Sequence, residues 1–124
     1  MLTVTKTGLT RIDVAIEGQV DADAMRRGLD ELIAQSEGIS NGRMLVEAPE
    51  FVMPSPGAIA VELARLPKLL GLIRRFDRAA LVSDSEWLRG AAEMEGAVIP
   101  GLQVKAFPLA ARNDAEAWLD TPVV

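Results

Sequence analysis

The chain contains no cysteine, no histidine and no tyrosine. Without cysteine there are no disulfides, no thiolate nucleophile and no thiolate metal site. Without histidine, the Ser-His-Asp and Cys-His arrangements and most zinc sites are excluded. Aromatic residues are scarce, at 4% of 124 residues. Basic residues are in deficit, leaving a formal charge of −5 and a pI near 4.7. Such a surface repels phosphate backbones, so nucleic acid is not an expected partner. No apolar run is long enough to cross a bilayer, because Glu62, Arg65 and Lys68 interrupt the segment from Ala58 to Ile73. The first residues, Met1-Leu2-Thr3-Val4-Thr5-Lys6, show no signal core. A cytoplasmic protein is the expectation.

What remains is an ordinary globular balance, 49% hydrophobic and 25% charged. The length predicts a single domain over 1–124, frayed at Thr121–Val124. Leu2 and Val4 alternate with threonines, and Ile12, Val14 and Ile16 alternate with Asp13, Ala15 and Glu17. These are two strands joined at Thr7–Thr10, an antiparallel hairpin. Asp21 or Asp23 caps a helix carrying Met25, Leu29, Leu32 and Ile33, ended by Gly38. Gly28 inside it costs about 1 kcal/mol relative to alanine, which suggests a close contact there. Met44-Leu45-Val46 reads as a buried strand, and the proline-rich segment 49–57 as a loop.

A long helix is predicted over about 57–76. Its residues Ile59, Leu63, Leu66, Leu70 and Ile73 form one stripe, expected to pack on the sheet. Pro67 should kink it. Val61, Leu69, Leu72 and Phe76 form a second apolar strip, roughly 80–160° away. That strip calls for a neighbouring helix, a partner subunit or an apolar ligand. A strand over 78–82 follows, then a helix capped by Asp84 or Ser85, a strand through Leu102, Val104 and Ala106, and a helix opened by Asn113-Asp114-Ala115-Glu116 as a capping box. The order β-β-α-β-α-β-α-β-α predicts an α/β fold with a mixed five-stranded sheet and about four helices.

The segments Arg11–Gly18 with Asp21, Gly42–Glu47, Ile73–Ala80, Trp87-Leu88-Arg89, Val104–Phe107 and Glu116–Leu119, in this order and spacing, resemble the bacterial SpoIIAA-like family of the STAS and CRAL-TRIO-like superfamily. The resemblance implies a single SpoIIAA-like domain with helices mainly over one sheet face. Relatives divide between phosphorylation-controlled antagonists of anti-sigma factors and carriers of apolar lipids. The antagonists' phosphoacceptor corresponds best to Ser55. The acidic neighbour usual in that pattern is absent, however, and Pro54 and Pro56 flank the serine instead.

No residues assemble a nucleophile, base and oxyanion site, so no catalytic residue is assigned and no enzyme is expected. Asp21 and Asp23 read as helix caps rather than acid–base or metal groups. No phosphate loop or dinucleotide fingerprint is present, and no metal or cofactor is expected. Arg74, Arg75 and Arg78 suit a helix C-terminus. Arg65, Arg74 and Arg75 are also candidate contacts for an anionic head group. Trp87 and Trp118 are expected to cover the ends of the core. The functional expectation is a non-catalytic interaction or regulatory module, homodimeric, working through Val61, Leu69, Leu72 and Phe76. The alternative is a carrier or sensor of a lipid or other apolar molecule, bound beside the helix over 57–76.

Overall fold

The computed structural model describes residues 1–121. Most of the expected frayed tail, residues 122–124, lies outside the described residues. Five strands form one sheet in the order β1 (Leu2–Lys6), β2 (Arg11–Ile16), β3 (Gly42–Glu47), β4 (Phe76–Val82) and β5 (Gln103–Phe107). The opening hairpin is antiparallel, with Val4 opposite Val14. The other three pairings are parallel. The helices are α1 (Ala22–Gln35), α2 (Pro56–Ala64), α3 (Leu66–Ile73), α4 (Glu86–Gly96) and α5 (Arg112–Asp120).

The topology follows from strand order. From β2 to β5 each strand is laid beside its predecessor, always in the same direction. Right-handed crossovers then deliver every connecting helix to the same face. That face presents Ile12, Val14 and Ile16 of β2 with Met44 and Val46 of β3, which pack with residues of α1 and α3. The opposite face presents Leu45, Ala80, Val82 and Phe107. Only the helix after the last strand is free to cover it, and α5 does so with the fully buried Ala115 and Leu119. Burying a leucine side chain contributes about 1.5–3 kcal/mol.

Charge fixes α5 as well. Arg43 Nε donates to the Leu119 carbonyl at 2.8 Å, and Arg78 Nη1 donates to the Trp118 carbonyl at 2.6 Å. Two guanidinium groups thus meet the negative end of the helix. Arg11 bridges Asp13 and Glu116, and Arg112 pairs with Glu47. Burial alone would lower the Arg11 pKa, but its hydrogen bonds to Asp13 and Glu116 outweigh burial and hold it above the ordinary value. Arg78 is buried within β4, under the Trp118 ring, so it does not serve a preceding helix C-terminus as its sequence position suggested.

The expected long helix is two helices. The chain leaves helical geometry at Arg65 (φ −98°, ψ 2°), and Pro67 sits in the first turn of α3, where its missing N–H breaks no bond. A mid-helix kink becomes a boundary. Phe76 opens β4, two residues ahead of the expected strand start.

The facing is also inverted. Leu72 and Phe76 are buried among Ile12, Val14 and Ile39, while Val61 and Leu69 pack against the buried cluster of Val20, Met25, Leu29 and Ala58. The strip proposed for a partner therefore has its home within the chain. The stripe expected on the sheet is outside, with Leu63 64% and Leu70 54% exposed. Both faces are apolar, so periodicity had no basis for choosing between them.

The capping box at Asn113 is not formed. A 3-10 turn (Leu109–Ala111) runs straight into α5 without a side-chain cap. Glu116, its expected reciprocal partner, pairs with Arg11 instead. Elsewhere the caps hold: the Ala24 N–H donates to Asp21 Oδ1 at 2.8 Å, and the Leu88 N–H to Ser85 Oγ at 3.2 Å.

Gly28 has its explanation in β1. A Cβ there would lie 2.2 Å from Leu2 Cδ2 and 2.5 Å from Leu2 Cγ. The missing side chain lets α1 rest on the first strand. Arg65 of the α2–α3 junction then ties to α1, donating from Nε to Asp30 at 2.7 Å and from Nη2 at 3.2 Å. That hydrogen bond holds the Asp30 carboxyl below its ordinary pKa.

Gly28→Ala should lower unfolding stability by about 1–3 kcal/mol, despite alanine's higher helix propensity. In a Leu2→Ala background the same change should be near neutral, and urea titration of the four proteins measures the difference. The Asp30–Arg65 contribution is complete above the ordinary carboxylate pKa. It is lost as pH falls through the depressed folded value. Asp30→Asn should therefore flatten the acid side of the stability–pH curve, with no added slope near neutrality.

Candidate functional site

The helix-bearing face of the sheet is unevenly covered. At one edge α1 lies on β1, with Leu2 against Gly28. At the other, α4 lies on β5, where a Cβ on Gly96 would come 2.4 Å from Val104. The α2 helix packs on α1 rather than on the sheet. The middle of the face is left as a groove between α1 and α4.

The groove has two adjoining chambers. The first, of about 380 Å³, lies against α1 and is floored by Val14, Ile16 and Val46, with Met25 and Leu29 as its wall. The second, of about 370 Å³, lies against α4, between Ala79, Leu81 and Ala91. Ile16, Val46, Ala48, Phe51 and Leu88 line both. Each volume falls within the range of small-ligand sites.

The loop from Pro49 to Pro54 closes part of the groove. Its Phe51 meets Trp87 of α4, ring centroids 4.7 Å apart and planes tilted by 51°. This pair stands at the boundary between the chambers. Both rings are exposed, Trp87 at 65%. Trp87 is therefore not the core cover expected from sequence, whereas Trp118 packs beside the α5 core. Among the described lining residues of both chambers the charged side chains are Glu50, Glu62 and Glu95, all acidic.

The sequence-derived candidates fall elsewhere. Val61, Leu69, Leu72 and Phe76 serve the interior and line neither chamber. Arg65 is engaged by Asp30. Arg74 ends α3, and Arg75 donates to the Ile39 carbonyl at 3.4 Å. None of the three arginines lines the groove. Ser55 is the N-cap of α2, its Oγ accepting from the Ala58 N–H at 3.1 Å. Asp21 caps α1, and Asp23 pairs with Arg26. Among the described residues, no group of three metal-binding side chains is placed to hold an ion. No described helix is long and apolar enough to cross a membrane.

The groove was missed because its walls come from all five strands, α1, α2, α4 and a loop. Each looks like ordinary core when read alone. The available signal was the loop Phe51-Val52-Met53, an apolar triplet among prolines with no helix or strand to bury it.

The structure is similar to an uncharacterised protein from Shewanella loihica PV-4, of a family of unknown function with a SpoIIAA-like fold. The TM-score is 0.74 at 19% identity, covering 96% of this chain and 92% of the other. At that identity the likeness speaks for the fold alone. No curated protein matches the sequence. The family model for SpoIIAA-like proteins matches residues 11–120, which spans β2 to β5 and all five helices. On that match, and with the sheet order and helix placement described above, the chain belongs to the SpoIIAA-like family.

Proposed function

We propose that this protein is a non-catalytic binding module that takes up an apolar small molecule in the groove between α1 and α4. The observation that carries the reading is the pair of adjoining apolar chambers over the centre of the sheet. Apolar surface left beside a folded core is costly in water, at about 25 cal/mol per Å². A ligand that covers it recovers that free energy. The exposed Phe51, Val52 and Met53 on the adjoining loop extend the apolar surface to the mouth. A non-catalytic role is supported by the placement of the carboxylates singled out in the sequence. Asp21 is a cap and Asp23 an ion-pair partner, and neither faces the groove.

A second reading concerns self-association, and a separate observation favours it. Ile59, Leu63, Leu66 and Leu70 are exposed together along the outside of α2 and α3. Exposed apolar patches mark interaction surfaces, and two-fold dimers are the commonest oligomers. On this reading the interaction surface is the outer stripe rather than Val61, Leu69, Leu72 and Phe76.

Titration with the neutral fluorescent probe N-phenyl-1-naphthylamine tests the groove. Saturable binding of one probe per chain is expected. Ala91→Trp, which fills the chamber against α4, should weaken it by about tenfold, equivalent to about 1.4 kcal/mol. Ala117→Trp, on the exposed side of α5, should leave binding unchanged. Failure of the probe to bind, with the fold intact by circular dichroism, removes the reading. For self-association, native mass spectrometry should show a dimer that becomes monomeric in Leu63→Glu/Leu70→Glu. A wild-type monomer at micromolar concentration counts against that reading.

A further inference from the structure

The groove has a charge as well as a shape. Two carboxylates line the chamber against α1: Glu50, from the loop after β3, and Glu62, from α2. Both residues are exposed, so they stand at the solvent edge of an otherwise apolar cavity. The adjoining chamber adds Glu95. No lysine or arginine lines either chamber among the described residues. The cation one turn beyond Glu62 is Arg65, and two of its three guanidinium nitrogens donate to Asp30.

A carboxylate or phosphate head seated at this edge would lie beside like charges, with no lysine or arginine among the described lining residues to offset them. An ammonium head would meet opposite charge while its chain filled the cavity. The chamber that Glu50 and Glu62 line, about 380 Å³, is near the lower end of the ligand-site range, which suits one apolar chain within it. We propose that the groove selects an amphiphile with a single apolar chain and a cationic, ammonium-type head, the head facing Glu50 and Glu62, the carboxylates that line the chamber against α1. This inference rests on the groove being a binding site and adds to it the charge of its ligand. It also reverses the anionic preference that Arg65, Arg74 and Arg75 suggested from sequence.

The test is displacement of N-phenyl-1-naphthylamine by two amphiphiles of equal chain length, decylammonium and decanoate, at neutral pH and below their micelle concentrations. Decylammonium should displace the probe at about fivefold lower concentration, the upper range for one exposed charge contact. The gap should narrow in high salt, because exposed charges are screened. Glu50→Gln/Glu62→Gln should close the gap while retaining probe binding. Glu37→Gln/Asp114→Asn, which removes the same two units of charge at exposed positions that line neither chamber, should leave it open. That control separates the mouth carboxylates from the overall negative charge. If the two amphiphiles displace the probe equally, or decanoate does so better, the cationic preference is overturned while the groove remains a site. If the probe itself does not bind, the groove reading falls and takes this one with it.

Discussion

The handedness of the strand crossovers is the constraint on which the rest of the structure depends. Because β2, β3, β4 and β5 are added side by side in one direction, right-handed connections must place α1 to α4 on one face. The opposite face, with Leu45, Ala80, Val82 and Phe107, would be left in water. The last helix answers that need. Its Ala115 and Leu119 complete the core, and Arg43 and Arg78 reach from the sheet to its final carbonyls. This single short helix is tied along its length, by Arg112 to Glu47 at its start, by the buried Ala115 and Leu119, and by Arg43 and Arg78 at its end.

Four helices share the first face, and they do not share it evenly. Gly28 draws α1 onto β1, and Gly96 draws α4 onto β5, at opposite edges of the sheet. The α2 helix stacks on α1 and is clamped through Arg65 and Asp30. The groove is the interval these preferences leave behind. Its apolar lining is thus the same alternating surface that would otherwise be buried core, and its acidic edge comes from residues placed by a loop and by α2. The displaced helix pair also turns one of its two apolar faces outward, which produces the exposed stripe on α2 and α3. Groove and stripe have one origin.

Much of the fold was legible in local patterns. The alternation of Ile12, Val14 and Ile16, the helix starts placed at Asp21 or Asp23 and at Asp84 or Ser85, and the proline-rich loop all read correctly, because each depends on neighbours within a few residues. The family resemblance was legible for a similar reason, since it rests on the order and spacing of such segments. The break at Arg65 was less visible. Pro67 is compatible with a kink or with a first turn, and only the path of the chain onto α1 separates them. Asn113 offered a locally sound cap that the structure does not use, because Glu116 lies opposite Arg11, 105 residues away in sequence.

The candidate site was the least legible part. Val61, Leu69, Leu72 and Phe76 and the stripe of Ile59, Leu63, Leu66 and Leu70 are equally apolar, and a helix with two such faces carries no local record of which one is inside. That choice was made by contacts with Met25, Leu29, Ile12 and Ile39, which come from other elements. The sequence by itself determined the element types, the mixed sheet, the family and the absence of cysteine and histidine chemistry. These follow from composition and short-range periodicity. Tertiary structure alone decided the facing of α2 and α3, the partner of Arg65, and the groove with its acidic rim. Each is a relation between segments distant in sequence, and such relations exist only once the segments have packed.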